Sequence, residues 1–212
     1  MKIFLTLIAG ILIISGSSFA ASSQPSGGDA SVAWDVWGQF KPGSYVVTEV
    51  KSENPQMKKA MEQMEAMRKQ NPNMPSYESM TKPMVYKQTL LELTPTHAKI
   101  KMEFISMPGG VQPAPQEMMV ERKGSTNLKD LPPGVTVKMK KIQSGVPCTA
   151  GGKSFICEVY EQDFETKTPA PLTGKTTIFV TQDVPGYMVK SSGTMSDGTK
   201  SDIKVTDFKA VK

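Results

Sequence analysis

The stretch Gly145-Val-Pro-Cys-Thr-Ala-Gly-Gly-Lys-Ser-Phe-Ile-Cys157 offers two chemistries at once. Its centre, Gly-Gly-Lys-Ser, has the makings of a phosphate cradle, and a cysteine stands on either side. A phosphate-binding loop needs Gly-x4-Gly-Lys-Ser/Thr between a buried strand and a helix N-terminus, because backbone N–H groups and the lysine together hold the phosphates. With Lys153 as that lysine, the first glycine falls on Pro147. A second near-match, Gly174-Lys175-Thr176, puts Pro169 in the same place. Proline has no N–H to donate. Both runs lead into the β-like sequences FICEVY and TIFVTQ rather than a helix. No nucleotide and no other cofactor is expected.

A disulfide-closed hairpin accounts for the same residues. If Gly152-Lys153 forms a two-residue type II′ turn with glycine first, Cys148 stands opposite Cys157 as a non-hydrogen-bonded pair. The Cα atoms of such a pair come to roughly 4.5 Å, at the short end of what a disulfide spans. These are the two cysteines of the chain, and their spacing lacks the Cys-x-x-Cys geometry that tunes a redox thiol. A structural disulfide between Cys148 and Cys157 is expected.

Methionine is the other abundant chemistry, with 15 in the chain. Met57, Met61, Met64 and Met67 fall on one face of a helix, and Met74, Met80 and Met84 continue the theme. Three uses fit this spacing. The thioethers can dock the helix on a sheet, since methionine adapts to irregular surfaces. They can form an adaptable surface for an apolar ligand. Or Met61, Met64 and Met67, in MEQMEAM, can ligate Cu(I) as in exported copper-handling proteins.

Catalysis has little to work with. His97 is the one histidine, so a Ser–His–Asp or Cys–His pair, or a histidine zinc site, would have to use it. It heads a predicted strand beside Thr94-Pro95-Thr96, as an exposed edge residue. Glu161, Asp163 and Glu165 alternate with Phe164 and read as the polar face of a half-buried strand. A carboxylate pair for glycoside cleavage remains compatible with the spacing, but no catalytic residue is assigned. An enzyme of unknown type is the least favoured reading.

The elements that must position these groups begin after an export signal. Lys2, the apolar run Ile3–Ile14, and small residues at Ser18 and Ala20 describe a signal peptide over residues 1–20. The run is short for a membrane span, which takes about 20 apolar residues. No membrane span is expected after cleavage. Residues 21–33 read as a flexible leader and 34–212 as one β-rich domain. The destination is the periplasm or the extracellular space. The formal charge of +5 is spread along the chain, without the Lys/Arg run that nucleic-acid binding calls for.

Within the domain, Asn54-Pro55 supplies an N-cap and a proline at the first helical position. Helix formers then continue to Gln70, so a helix is predicted near 55–70. The segments 85–93 and 97–107 alternate around Thr94-Pro95-Thr96 and predict a hairpin with Ile100, Met102 and Phe104 on one face. Asp183-Val-Pro-Gly186 and Ser196-Asp-Gly198 read as turns between the last strands. The fold class is α+β, mainly β. It is expected to be a curved antiparallel meander of about eight or nine strands, with one early amphipathic helix packed on the sheet.

WGQFKPGSYVVTEV near the start of the domain and TTIFVTQDVPGYMVKSSG (176–193) near its end resemble uncharacterised exported bacterial domains. The string of strands with one early helix also resembles the lipoprotein-carrier fold of the LolA/LolB type. That resemblance implies a curved sheet whose concave face is covered by helices and receives acyl chains. The reading carried forward is a non-catalytic exported domain. It binds an apolar, lipid-like small molecule or an envelope component, with Met57, Met61, Met64 and Met67 as the contact residues.

Overall fold

A computed structural model describes residues 36–71, 82–110, 112–122, 134–167 and 171–212. The signal (1–20), the leader (21–33), Trp34, Met74 and Met80 lie outside the described residues. Among the described residues, nine strands and one helix follow one another: β1 (Tyr45–Glu53), α1 (Pro55–Gln70), β2 (Met84–Leu93), β3 (His97–Ser106), β4 (Gln116–Glu121), β5 (Val135–Ala150), β6 (Lys153–Thr166), β7 (Leu172–Val180), β8 (Met188–Met195) and β9 (Lys200–Lys209). The mainly-β α+β class and the strand number agree with the sequence reading.

All nine strands form one antiparallel sheet in the order β4-β3-β2-β1-β9-β8-β7-β6-β5. Each neighbour follows in sequence except at the centre, where β1 pairs with β9. The meander is therefore joined through its two ends and broken between β4 and β5, which become the edges of an open sheet. Ser44 secures the joint: its hydroxyl donates to Lys41 O at 2.8 Å and accepts from Val211 N at 3.0 Å. The edges are guarded in different ways. β4 has six residues, and β5 carries Lys138, Lys140 and Pro147 along its length, features that discourage pairing with another chain.

Period-two alternation decides which side is buried. Val46, Thr48 and Val50 of β1 point inward, as do Ala98, Ile100 and Met102 of β3. Phe104 shares that face and is half-buried. Two buried clusters result. One gathers Val36, Trp37 and Phe40 with Leu90, Ile100, Val205 and Phe208, and takes in both cysteines. The other runs along the inner face through Tyr86, Val50, Ile203 and Ile178.

α1 begins where the sequence placed it. Asn54 Oδ1 accepts from the N–H groups of Gln56 at 2.9 Å and Met57 at 3.1 Å, satisfying two donors that a helix start leaves open. Its Nδ2 also donates to Thr199 Oγ1 at 2.8 Å. The first turn is thus pinned to the β8–β9 connection, where Pro55 lies so close to Gly198 that a Cβ there would sit 3.1 Å from its ring. The helix is nevertheless no core element: none of its residues is buried, and neither cluster includes one.

Candidate apolar site on the inner sheet face

The hairpin that brackets the cysteines forms, with a different register from the one expected. Ala150 pairs with Lys153, Cys148 with Phe155, and Val146 with Cys157. The tip is Gly151-Gly152, both at positive φ (52° and 74°), as a type I′ turn requires. Two adjacent glycines meet that demand without steric cost, whereas Gly152-Lys153 would put lysine in the turn. The cysteines are therefore diagonal rather than opposite. Their Cα atoms lie 6.2 Å apart and the disulfide is formed, within the usual span. Irregularities at Lys141/Gln143 and Gln143/Val146, with Gly145 at φ 75°, bend β5 behind the tip. At the same level β6 changes its buried side, from Cys157 and Val159 to Gln162.

Beyond that bend, cross-strand register lays a row that is apolar except at Ser191 over the inner face. Tyr160 of β6 pairs with Ile178 of β7, Ile178 with Ser191 of β8, Ser191 with Ile203 of β9, and Ile203 with Val50 of β1. Tyr86 continues the surface to Phe104, their ring centroids 6.4 Å apart. Four half-buried side chains border the cluster: Phe104, Met107, Met139 and Tyr160. The burial of Tyr86 raises its phenol above the ordinary range, opposed by a hydrogen bond with Thr48.

One corner of this face is charged but internally neutral. Lys141 Nζ contacts Glu158 Oε1 at 2.5 Å, and the Tyr160 hydroxyl donates to Glu158 Oε2 at 2.8 Å. The Lys141 hydrogen bond holds the Glu158 carboxyl below its usual range. Burial, then the bond to Glu158, pushes the Tyr160 phenol well up.

The next row holds Met139, Gln162, Thr176 and Gly193, each paired with the following one. Gln162 is 1% exposed, and neither its Nε2 nor its Oε1 has a hydrogen-bond partner. A buried polar group left this way costs about 1–3 kcal/mol, so its position calls for a reason. The signal for that position was there in VYEQDFE, where Tyr160, Gln162 and Phe164 share the side opposite Glu161, Asp163 and Glu165.

The methionines of α1 stay largely outside the packed interior. Met57, Met61 and Met64 are half-buried, and Met67 is 50% exposed. The stripe is thus not the buried seam that core docking would make. Met84, by contrast, is buried in β2. His97 is held in its hairpin: Nδ1 lies 3.0 Å from Thr94 Oγ1, and Nε2 lies 3.4 Å from Glu92 Oε1. Thr94 Oγ1 also accepts from the N–H groups of Thr96 and His97, so the hydroxyl shapes the turn. His97 is half-buried rather than exposed, because this turn folds around its ring. Glu161 and Asp163 form the expected polar face, both paired with Lys175 at 3.1 and 3.7 Å. Asp163 and Lys175 border an open depression of about 500 Å³ with Thr136, Lys138 and Thr194. Among the described residues, no three His, Cys, Asp or Glu side chains gather as a metal site. No described helix is long and apolar enough to cross a membrane.

No family model matches the chain, and no curated protein matches it. Among solved structures it is similar to the hypothetical lipoprotein YmcC from Escherichia coli, at 9% identity and a TM-score of 0.35, covering 84% of this chain and 89% of that one. It is also similar to a putative outer membrane lipoprotein-sorting protein domain from Vibrio parahaemolyticus, at 9% identity and a TM-score of 0.28, covering 84% of this chain and 90% of that one.

Proposed function

We propose that this chain is an exported, non-catalytic β-rich domain that binds an apolar, lipid-like ligand through its inner sheet face and the methionine face of α1. One observation carries the reading: a helix pinned at its first turn leaves four methionines outside both buried clusters. Apolar side chains with no place in the core are a binding surface in waiting, and thioethers suit ligands of varied shape. The half-buried Phe104, Met107, Met139 and Tyr160 supply matching apolar surface on the sheet. Export is supported by the signal-like residues 1–20 and fits a disulfide-bonded domain.

Native mass spectrometry of the protein purified from cell envelopes tests this directly. Apolar adducts that organic extraction removes, and that phenylnaphthylamine replaces with a gain in fluorescence, are the expected result. A bare chain that also fails to bind the dye overturns the proposal.

A further inference from the structure

Among the described residues, Gln162 is the one buried side chain of the inner face whose donor and acceptor are both unused. Its surroundings explain why the protein itself does not satisfy it. Met139 pairs with it on β5 and offers no strong hydrogen-bonding group. Thr176 pairs with it on β7, but Thr176 Oγ1 leans the other way. A Cβ at Gly193 on β8 would lie 2.6 Å from that oxygen. Along β6, the Phe164 ring lies over Gly174, where a Cβ would come within 2.8 Å of it. The Tyr160 hydroxyl is committed to Glu158. Two glycines thus draw the neighbouring side chains toward β7 and β8 and leave the amide alone among apolar groups.

We infer that Gln162 is the polar contact of the inner-face site, and that its ligand is an amphiphile whose neutral head group both donates and accepts a hydrogen bond. This rests on the apolar-binding reading above and adds the class of head group. A hydroxyl or an amide on a hydrocarbon chain uses both atoms of the Gln162 amide. An ester uses the N–H alone. An ionised carboxylate would enter a face whose cation, Lys141, is already paired with Glu158, and an uncompensated buried charge is strongly disfavoured. A site that hydrogen-bonds a ligand group rejects the analogue lacking it, because its own polar atoms are then left unmet.

The test compares four probes of equal chain length, a fatty amide, a fatty alcohol, a methyl ester and an ionised fatty acid, by calorimetry at neutral pH. The purified protein is set beside its Gln162→Leu and Gln162→Met variants. The wild type is expected to prefer the amide and the alcohol by about tenfold over the ester, as one hydrogen bond dictates, with the acid weakest. Both variants should lose the preference while still binding the ester. Wild-type binding of all four probes without preference, or a preference that survives in both variants, overturns the inference and leaves the apolar-binding reading standing. Binding of none of them overturns both. The amide winning over the alcohol, or the reverse, tells which head group the site takes.

Discussion

Phe155 meets Phe208 with ring centroids 5.6 Å apart and planes tilted by 59°. One ring belongs to the disulfide-closed hairpin and the other to β9, the last strand of the chain and a central strand of the sheet. Gly151 makes the approach possible, since a Cβ there would lie 3.1 Å from the Phe208 ring and 3.4 Å from Asp207 Cα. The hairpin tip is therefore a clamp on β9, and the disulfide maintains its shape.

Removing that disulfide by Cys148→Ala with Cys157→Ala is expected to destabilise the fold by about 2–3 kcal/mol, the chain-entropy value for so short a loop. Denaturant unfolding measures it. If Phe155→Ala costs as much in the disulfide-free protein as in the wild type, the disulfide does not act through this clamp.

Gly174→Ala should cost about 1–3 kcal/mol through overpacking, because its methyl would meet the Phe164 ring. Adding Phe164→Leu should recover part of the loss. A cost that is unchanged in the double variant would show that the ring contact is not its cause.

Gln162→Leu is expected to stabilise the ligand-free protein by about 1–3 kcal/mol, since it removes a buried polar group with no partner. Thermal and denaturant melts of delipidated protein report this. A destabilised variant would mean that the amide is satisfied in solution, for instance by ordered water.

Methionines on the two sides of the interior should separate cleanly. Met84→Ala, in the core, is expected to cost about 2–5 kcal/mol. Met61→Ala, on α1, should stay within about 0.5 kcal/mol while weakening uptake of phenylnaphthylamine. Comparable losses of stability at both positions would place the helix in the core.

Acid and alkali should act through different side chains. Glu158 and Glu49 are held low, first by hydrogen bonds from Lys141 and Lys204 respectively. Their contribution is therefore present above the ordinary carboxylate value, about 4.3, and is lost as pH falls through the depressed folded values. Tyr160 is shifted up, first by burial. Its contribution is present below the ordinary phenol value, about 10, and is lost as pH rises through the folded one. Melts across pH should show both limbs, and Lys141→Met should make the acid limb shallower. An unchanged acid limb would remove Glu158 from the account.

Much of the local structure was legible in the residues. Asn54-Pro55 announced the start of α1, and alternation in HAKIKMEFIS put Ile100, Met102 and Phe104 on one face. Spacing and cysteine count pointed to the disulfide. The hairpin register was read wrongly because Gly151, Gly152 and Lys153 allow more than one turn. The choice rests on backbone φ at two adjacent positions and on the fit of Gly151 against β9. The site was legible only in part. The methionine stripe was visible as a helical face, but its exclusion from both buried clusters was not. Gln162 looked like any polar residue in a strand.

The sequence by itself determined what depends on neighbours along the chain: the helix cap, the two faces of each strand, the turns, and a strand-dominated class. Those follow from φ preferences, side-chain period and capping groups within a few residues. Only the tertiary structure decided the β1–β9 joint, the open edges at β4 and β5, and the row from Tyr160 to Val50. These are pairings between distant segments, chosen by how much apolar surface the whole sheet can bury. The isolation of Gln162 is of the same kind, because an unmet hydrogen bond is a property of everything around the side chain.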